Sequence, residues 1–550
     1  MRKMSPLYLS LVLVVVTTVA ASGQSFQVQC PTATITHPFH AAAGVACSQN
    51  PTAPGCNNNE PAYTAATTLT AGANGYLVPT ANVNGAIKCQ QISGGDGFAT
   101  MGDGSQTYLF AFGPLSGLAD MSNGLPGTQF PNVFNDVAPP LVPGDPATTD
   151  GASQAPYSLG DPSVFTYNGA VGLASDLDAI ASGACTPDAL GRCLDGHVDT
   201  RQIMDVGVLN GNMPAPLMAI DEDDEFFLTL TNVGQVMRPD LFEQHTVHFH
   251  GYPNASAFYD GVPDASVAIN IGGSFTYYYL APDAGTYFWH CHITPPEHLQ
   301  MGMVGQLYVR PRQNRVPGGT SLYAALQTQQ ADLRTKCDSS DILCSNPLPA
   351  VNTGATGGAK YAYNDGDGTT RYDVEYPIQI HGFDPNFHFV GMTFNPEGFT
   401  EMKDKYFLLN GRSYPDTVHN GPLATQTTDG VMHYSQPMSA IINIPAGGRA
   451  LLRIADLDVT EYQTLASLGI PMQVIALNAK LLRDQAGNNL YYNTNSITLA
   501  GGESLDVILD ASDTTKYPSG SVFYLYTPNL DHLSNDAENF GGLMTEVRIN

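Results

Sequence analysis

The sequence predicts an all-β fold, with two strand-rich units behind a loop-rich N-terminal extension. Three observations carry this reading. Short alternating apolar runs recur from about Val206, at 226–230, 246–250, 275–280, 286–290 and 304–309, each followed by a turn. Such spacing fits an antiparallel sandwich or small barrel. Strand texture then resumes near Tyr376 and continues to Asn550. Finally, the two strand-rich stretches read as repeats. Gly272-Gly273-Ser274, 285–292 and 302–305 are matched by Gly501-Gly502-Glu503, 520–527 and 541–544. In that register His290, Cys291 and His292 stand opposite Leu525, Tyr526 and Thr527.

The elements follow in order. Residues 1–23 read as a secretory signal, with Arg2 and Lys3, an apolar run at 7–16, and small residues Ala20, Ala21 and Ser22. That run is short for a membrane span, which needs about 20 apolar residues. Residues 24–200 are rich in Gly, Ala, Pro, Asn and Thr, with isolated patches such as Tyr108-Leu109-Phe110-Ala111-Phe112. They read as a disulfide-pinned extension wrapped on the next domain. His37 and His40 in it read as surface or packing residues. Residues 201–312 form the first strand-rich unit, 313–370 a Gly-punctuated linker, and 371–550 the second unit. The acidic turn at 221–225 reads as a solvated one.

Of nine cysteines, Cys30, Cys47, Cys56, Cys89, Cys185, Cys193, Cys337 and Cys344 form an even set suited to four disulfides, with Cys185/Cys193 and Cys337/Cys344 as local staples. Cys291 is left over. Disulfides and the leader place the chain outside the cytoplasm, secreted or periplasmic. The formal net charge of −28 argues against nucleic acid and anionic membrane as partners. No later segment reads as a membrane span.

The chemistry concentrates in Tyr287-Phe288-Trp289-His290-Cys291-His292, followed by His298 and Met303, and in His245-Thr246-Val247-His248-Phe249-His250. A strand sends successive side chains to opposite faces. Cys291 therefore faces away from His290 and His292, and His245 away from His248 and His250. Adjacent strands would build two sites back to back. The Cys291 side, with His245, His298 and Met303, offers two imidazoles, a thiolate and a thioether, the donor set of blue-copper electron transfer. Met303 is preferred to Met301 as the thioether. The other side, His248, His250, His290 and His292, suits a copper that binds oxygen or another small acceptor. Zinc competes, but one Cys among six His split by strand parity is an unusual structural zinc set.

With these motifs, and with Asp260-Gly261-Val262-Pro263 and Leu409-Asn410-Gly411-Arg412, the chain resembles the multicopper oxidases, built from cupredoxin domains. The resemblance spans roughly 206–312 and 376–550. It implies two cupredoxin-like Greek-key domains, the second copper-free. It also implies a type 1 copper on His245, Cys291, His298 and Met303, and type 2 or type 3 copper on His248, His250, His290 and His292. Cys291, His290 and His292 would carry the electron path. Two departures stand out. The loop from Cys291 to His298 is two residues longer than the family spacing. The chain also has two His-x-His pairs where a complete trinuclear cluster uses four, and His388, His433 and His532 are unpaired. A neighbouring subunit's copy of His532 is one candidate to complete the set.

The expected function is an exported copper oxidase. It would take single electrons from a small-molecule or metal-ion donor and pass them to oxygen, with a homo-oligomer allowed. Two alternatives stand beside it. One is a copper nitrite reductase with a type 2 copper between subunits, although His248 occupies the position of that family's catalytic Asp. The other is a non-enzymatic electron carrier or copper-handling protein with only the blue site filled.

Overall fold

The computed structural model describes residues 28–38, 59–134 and 211–550, apart from 73–74, 76, 118–119, 122, 236–237, 239, 252–256, 282, 333–343, 345, 392–397 and 427–431. The expected signal segment lies outside the described residues, as do Cys47, Cys56, Cys185, Cys193 and Cys337. Among described cysteines, Cys30 bonds Cys89, Cys344 is disulfide-bonded, and Cys291 is free and buried.

The described residues form two strand-rich units. The first contains β1 (Ile87–Thr100), β2 (Gln106–Pro114), β3 (Met218–Asp221), β4 (Glu225–Gly234), β5 (His248–Phe249), β6 (Ser274–Leu280), β7 (Gly285–His290) and β8 (Val304–Arg310). Helix α1 (Pro295–Gln300) lies between β7 and β8. The strands make two four-stranded sheets, ordered β3-β8-β7-β5 and β2-β1-β4-β6. The core between them includes Phe110, Phe112, Leu228, Phe249, Tyr277, Trp289 and Leu307.

Two expectations need correction. β1 and β2 pair within the first unit, so residues 87–114 belong to its sheets and not to a separate loop-rich extension. The pairing is also mixed, with β1 parallel to β4 and β3 parallel to β8. Apolar spacing reports that a strand exists, but not the direction of its neighbour.

The second unit repeats this plan. Strands Tyr406–Leu409, Val374–Phe383, Arg449–Asp456 and Ser504–Asp510 follow one another in one sheet, as β2-β1-β4-β6 do in the first unit. Val374–Phe383, labelled β9, runs parallel to Arg449–Asp456, just as β1 does to β4. In the opposite sheet Ile442–Ile444, Met544–Ile549 and Val522–Tyr526 repeat β3-β8-β7. The ladder shifts the glycine-based register by one residue. His290 pairs with Val304 as Tyr526 pairs with Met544. The Cys291 N–H donates to Met303 O (3.1 Å) as Thr527 N–H donates to Leu543 O (2.9 Å). Leu525 thus matches Trp289 and Thr527 matches Cys291. A one-residue slip would have put the buried Leu525 on the wrong face.

The expected linker holds a helix at Leu322–Gln330, packed through Leu322 with Tyr63, Val316 and Tyr361. The acidic turn is buried, not solvated. Glu222 and Asp224 are fully enclosed, and Asp223 accepts from Arg312 Nε at 2.6 Å. Sequence spacing could not show that Arg312 arrives there from the end of β8. Helix α2 (Pro385–Gly391) follows β9 and inserts Phe387 into the first unit's core.

Candidate metal centre

β5 and β7 are neighbours, with His248 opposite His290 and Phe249 opposite Trp289. Phe249 and Trp289 point into the core. The alternation carries the histidines to the opposite face.

On the core side, His245, Cys291 and His298 place one donor atom each within 4.8 Å of one another, and all three are buried. Cys291 Sγ lies 3.2 Å from His298 Nδ1 and 4.0 Å from His245 Nδ1. The Thr246 N–H donates to Sγ at 3.4 Å. Met303 is fully buried and shares a wall with His245. A Cβ built on Gly94 of β1 would lie 2.6 Å from His245 Cδ2 and 3.3 Å from Met303 Cε. Met301 is also fully buried. The loop from Cys291 to His298 leads into α1. Thr294 takes a left-handed φ of 37° and Pro295-Pro296 start the helix. The helix turns His298 back towards the thiol.

The opposite face gathers the remaining histidines. His248, His250 and His290 place donor atoms within 4.8 Å of one another. The His292 ring lies 5.1 Å from that of His248 and 5.4 Å from that of His290. Each of the three has its other nitrogen occupied by backbone. His248 Nδ1 donates to Asp260 O (2.6 Å), and His290 Nδ1 to Cys291 O (2.7 Å). His250 hydrogen-bonds the Gly502 backbone of the second unit. These partners fix the tautomer that leaves Nε2 as a lone pair. His250 Nε2 and His290 Nε2 then face each other at 2.9 Å.

Electrostatics agree. Burial, then His248, brings the His250 pKa down to about 4. Burial, then His250, pushes His290 well below its ordinary value. Burial and His298 do the same to His245. These rings are neutral, with lone pairs free to bind. Convergent lone pairs at 2.9 Å on one face, and two Nδ1 atoms beside one thiol on the other, fit copper: soft sulfur with nitrogen on one side, nitrogen alone on the other.

Several contributors carried no sequence signal. Glu243 Oε2 lies 3.4 Å from His298 Nε2, and Glu243 is partly exposed. Burial opposes a charged His298, but Cys291 and Glu243 outweigh it and push its pKa up to about 9. Phe110 of β2 packs edge-on against His298 at 5.1 Å. Beside His250 and His290 opens a cleft of about 460 Å³, walled on the far side by Asp458, Thr460 and Glu461 of the second unit.

The unpaired histidines lie elsewhere. His532 is 3% exposed, stacked on Phe407, and bonded to Gln463 (3.0 Å) and Glu461 (3.1 Å). It is a core residue of its own unit and is not presented to a neighbour. His388 is buried at the joint between the units. The side chain of His433 lies outside the described residues.

Residues 195–314 match the family model described as multicopper oxidase. Laccase abr2 of Aspergillus fumigatus is 32% identical over 128 residues, 23% of this chain and 20% of the laccase. Copper-containing nitrite reductase of Rhizobium meliloti is 33% identical over 114 residues, 20% of this chain and 27% of the reductase. L-ascorbate oxidase of Cucumis sativus is 32% identical over 109 residues, 20% of this chain and 17% of that enzyme. The match thus spans about a quarter or less of these relatives' length. Among solved structures, the blue copper oxidase of Nitrosomonas europaea aligns over 62% of this chain and 78% of its own, at 22% identity and a TM-score of 0.41. The likeness in sequence to multicopper oxidases is thus carried by residues 195–314, the stretch that holds both histidine motifs.

Proposed function

We propose that the protein is an exported copper oxidoreductase that takes single electrons at the Cys291 side and delivers them to a small acceptor, dioxygen first, at the histidine face. The observation that supports this most is the back-to-back placement of the two donor sets, joined through one backbone segment. His245, Cys291, His298 and Met303 would hold one copper, and His248, His250 and His290, with His292 beside them, would hold the other. When bound, copper supplies a one-electron couple at the first set and an acceptor-binding redox centre at the second.

The remaining roles fall to the protein. Cys291 is bonded directly to His290 and His292, so the covalent path between the two sets is a few bonds long. Thr246 donates to the thiolate and holds it in place. The fully buried Phe110 and Trp289 keep water from the thiol side. Glu243 gives the His298 edge a negative, partly exposed rim, suited to a phenolic or metal-ion donor. Asp458 and Glu461 line the cleft at His250 and His290, where a reduced acceptor must receive protons. The Cys30–Cys89 bond supports an oxidising compartment. Among the described residues no helix is long and apolar enough to cross a membrane.

The test is oxygen uptake by copper-loaded protein with phenolic and low-valent metal donors. Wild type should consume oxygen, and Cys291→Ser should not. Inactivity of fully loaded wild type across that panel would refute the oxidase reading. A second reading, nitrite reduction, is favoured by one observation. Only three of the four face histidines converge within 4.8 Å, which suits a single copper. Nitric oxide released from nitrite without oxygen would select it. One copper per chain without turnover would select an electron carrier.

A further inference from the structure

The loop that carries His298 and Met303 is held from outside its own unit. α1 is six residues long; Leu299 O accepts from Gly302 N–H (3.0 Å), whereas Met303 N–H and Val304 N–H go to His298 O and Gly302 O, which leaves Gln300 O to a partner from elsewhere. Two buried histidines of the second unit meet these last carbonyls. His381 Nε2 of β9 lies 3.0 Å from Leu299 O, and His388 Nε2 of α2 lies 2.9 Å from Gln300 O. The Gln300 side chain is held as well. Its amide donates to Asp404 Oδ1 (2.9 Å) and its carbonyl accepts from Asp384 N–H (3.0 Å). Every one of these partners comes from the second unit.

His388 reaches further. Its Nδ1 lies 2.6 Å from Tyr108 O in β2. Two residues along that strand, Phe110 packs on the His298 ring. One imidazole therefore bridges the loop behind His298 and the strand beside it. Its own position is fixed by stacking on Phe383 at 3.6 Å and by Phe387 in the first unit's core. Burial keeps the ring neutral, so its one N–H donates to one of these two carbonyls and the other nitrogen only lies against the second.

We propose that His388, with His381, is a positioning residue for the Cys291 centre: the copper-free unit clasps the 295–303 loop and sets where His298 and Met303 stand relative to the thiol. The loop's own backbone bonds close it on itself, with Met303 N–H donating to His298 O (2.8 Å), so the two loop donors move as one body and the clasp sets where that body sits against the thiol. Metal centres are sensitive to such outer partners, whose loss costs roughly 10–100-fold in affinity. The proposal rests on the reading that Cys291, His245 and His298 hold copper.

The test uses the copper-loaded full chain and reads the visible thiolate–copper band, the paramagnetic resonance spectrum, the reduction potential and copper loss to a chelator. His388→Phe keeps a ring on Phe383 and removes both nitrogens, while His388→Gln keeps a donor. His388→Phe should shift the band and potential and lose copper roughly tenfold more readily. His388→Gln should lie closer to wild type. Gln300→Met removes another part of the clasp, the side-chain bonds to Asp404 and to the Asp384 N–H, and tests the clasp where His388→Phe does not fold. A wild type without the thiolate band overturns the copper reading beneath the proposal. A wild type with the band, and variants with its spectrum, potential and copper retention, overturns the clasp alone. Equal effects of Phe and Gln at position 388 overturn the hydrogen bond as its basis.

Discussion

Gly94→Ala is the sharpest probe of the thiol-side centre, because it changes one atom and touches two donors. Gly94 lies in β1, beneath His245 and Met303. An added Cβ would sit 2.6 Å from His245 Cδ2 and 3.3 Å from Met303 Cε, where ordinary contact begins at 3.4 Å. The imidazole must therefore retreat by about 0.8 Å, or β1 must bend. β1 is held in register by β2 through Gly94, while its ladder with β4 is irregular only between Gly94 and Gly95. The ring is the softer element, and designed metal sites tolerate about 0.5 Å of error. Overpacking of this kind costs about 1–3 kcal/mol, which the chain can absorb while remaining folded. The expected outcome is a folded protein whose thiolate–copper band is weakened or shifted and whose copper is lost more readily than in wild type. Absorption, paramagnetic resonance and chelator competition measure it, with circular dichroism to confirm the fold. A Gly94→Ala protein with wild-type spectrum and copper retention would refute the placement of His245 in the donor set.

Two further outcomes follow from the charges. Glu243→Gln removes the carboxylate beside His298 Nε2; kcat/KM for a cationic metal donor should fall roughly tenfold, as loss of one charge-assisted bond implies, and fall less for a neutral phenol. Steady-state kinetics with both donors check this, and equal losses would reject a recognition role for Glu243. Glu375→Gln breaks a joint between the units, since Glu375 binds Arg310 of β8 and the fully buried Arg453. Burial pushes the Glu375 pKa up, but Arg310 and Arg453 outweigh it and bring it from 4.5 to about 2. A folded-state pKa below the unfolded one stabilises at pH above about 4.5, and that stability is lost as pH falls towards 2. The shift corresponds to about 3 kcal/mol. Thermal unfolding should show Glu375→Gln several degrees below wild type at pH 7, the gap closing between pH 4.5 and 2. A gap that does not change with pH would contradict this.

How far the sequence could be read depended on what each signal reports. The ligand strands were legible because parity is a property of the backbone: His290-Cys291-His292 must divide between two faces whatever surrounds them. β1 was hidden for the opposite reason. A strand buried on both faces shows no alternation, and β1 is buried at nearly every position. Its glycines look like loop composition, yet they answer crowding. Gly94 lies under His245, and Gly97 would place a Cβ 2.0 Å from Gly211 O. Glu243, Arg312 and His388 were unreadable because their partners, His298, Asp223 and Gln300, are brought to them only by the fold. The repeat was visible, but turn glycines misplaced it by one residue, and only the ladder restores Trp289 opposite Leu525.

That corrected register shows which residues of the second unit stand at the positions of the thiol-side donors. Thr527 stands where Cys291 stands and Leu543 where Met303 stands, with the same backbone bond between them. The scaffold of the thiol-side centre is therefore independent of its donors: a hydroxyl and an isobutyl group fill it without disturbing the ladder. Among its described residues the second unit gathers no comparable set of His and Cys donors, so its surface can be fitted to its neighbour. It meets the first unit at Gly502 against His250, at His381 and His388 against the ligand loop, and at Glu375 against Arg310. Other contacts of the joint lie away from the donors, such as Thr286 with Asp506, Gln306 with the Arg453 carbonyl and Tyr406 with Asp103. The joint therefore buries one unit on the other along its length, and at His250 and the 295–303 loop the same burial also bears on the donors.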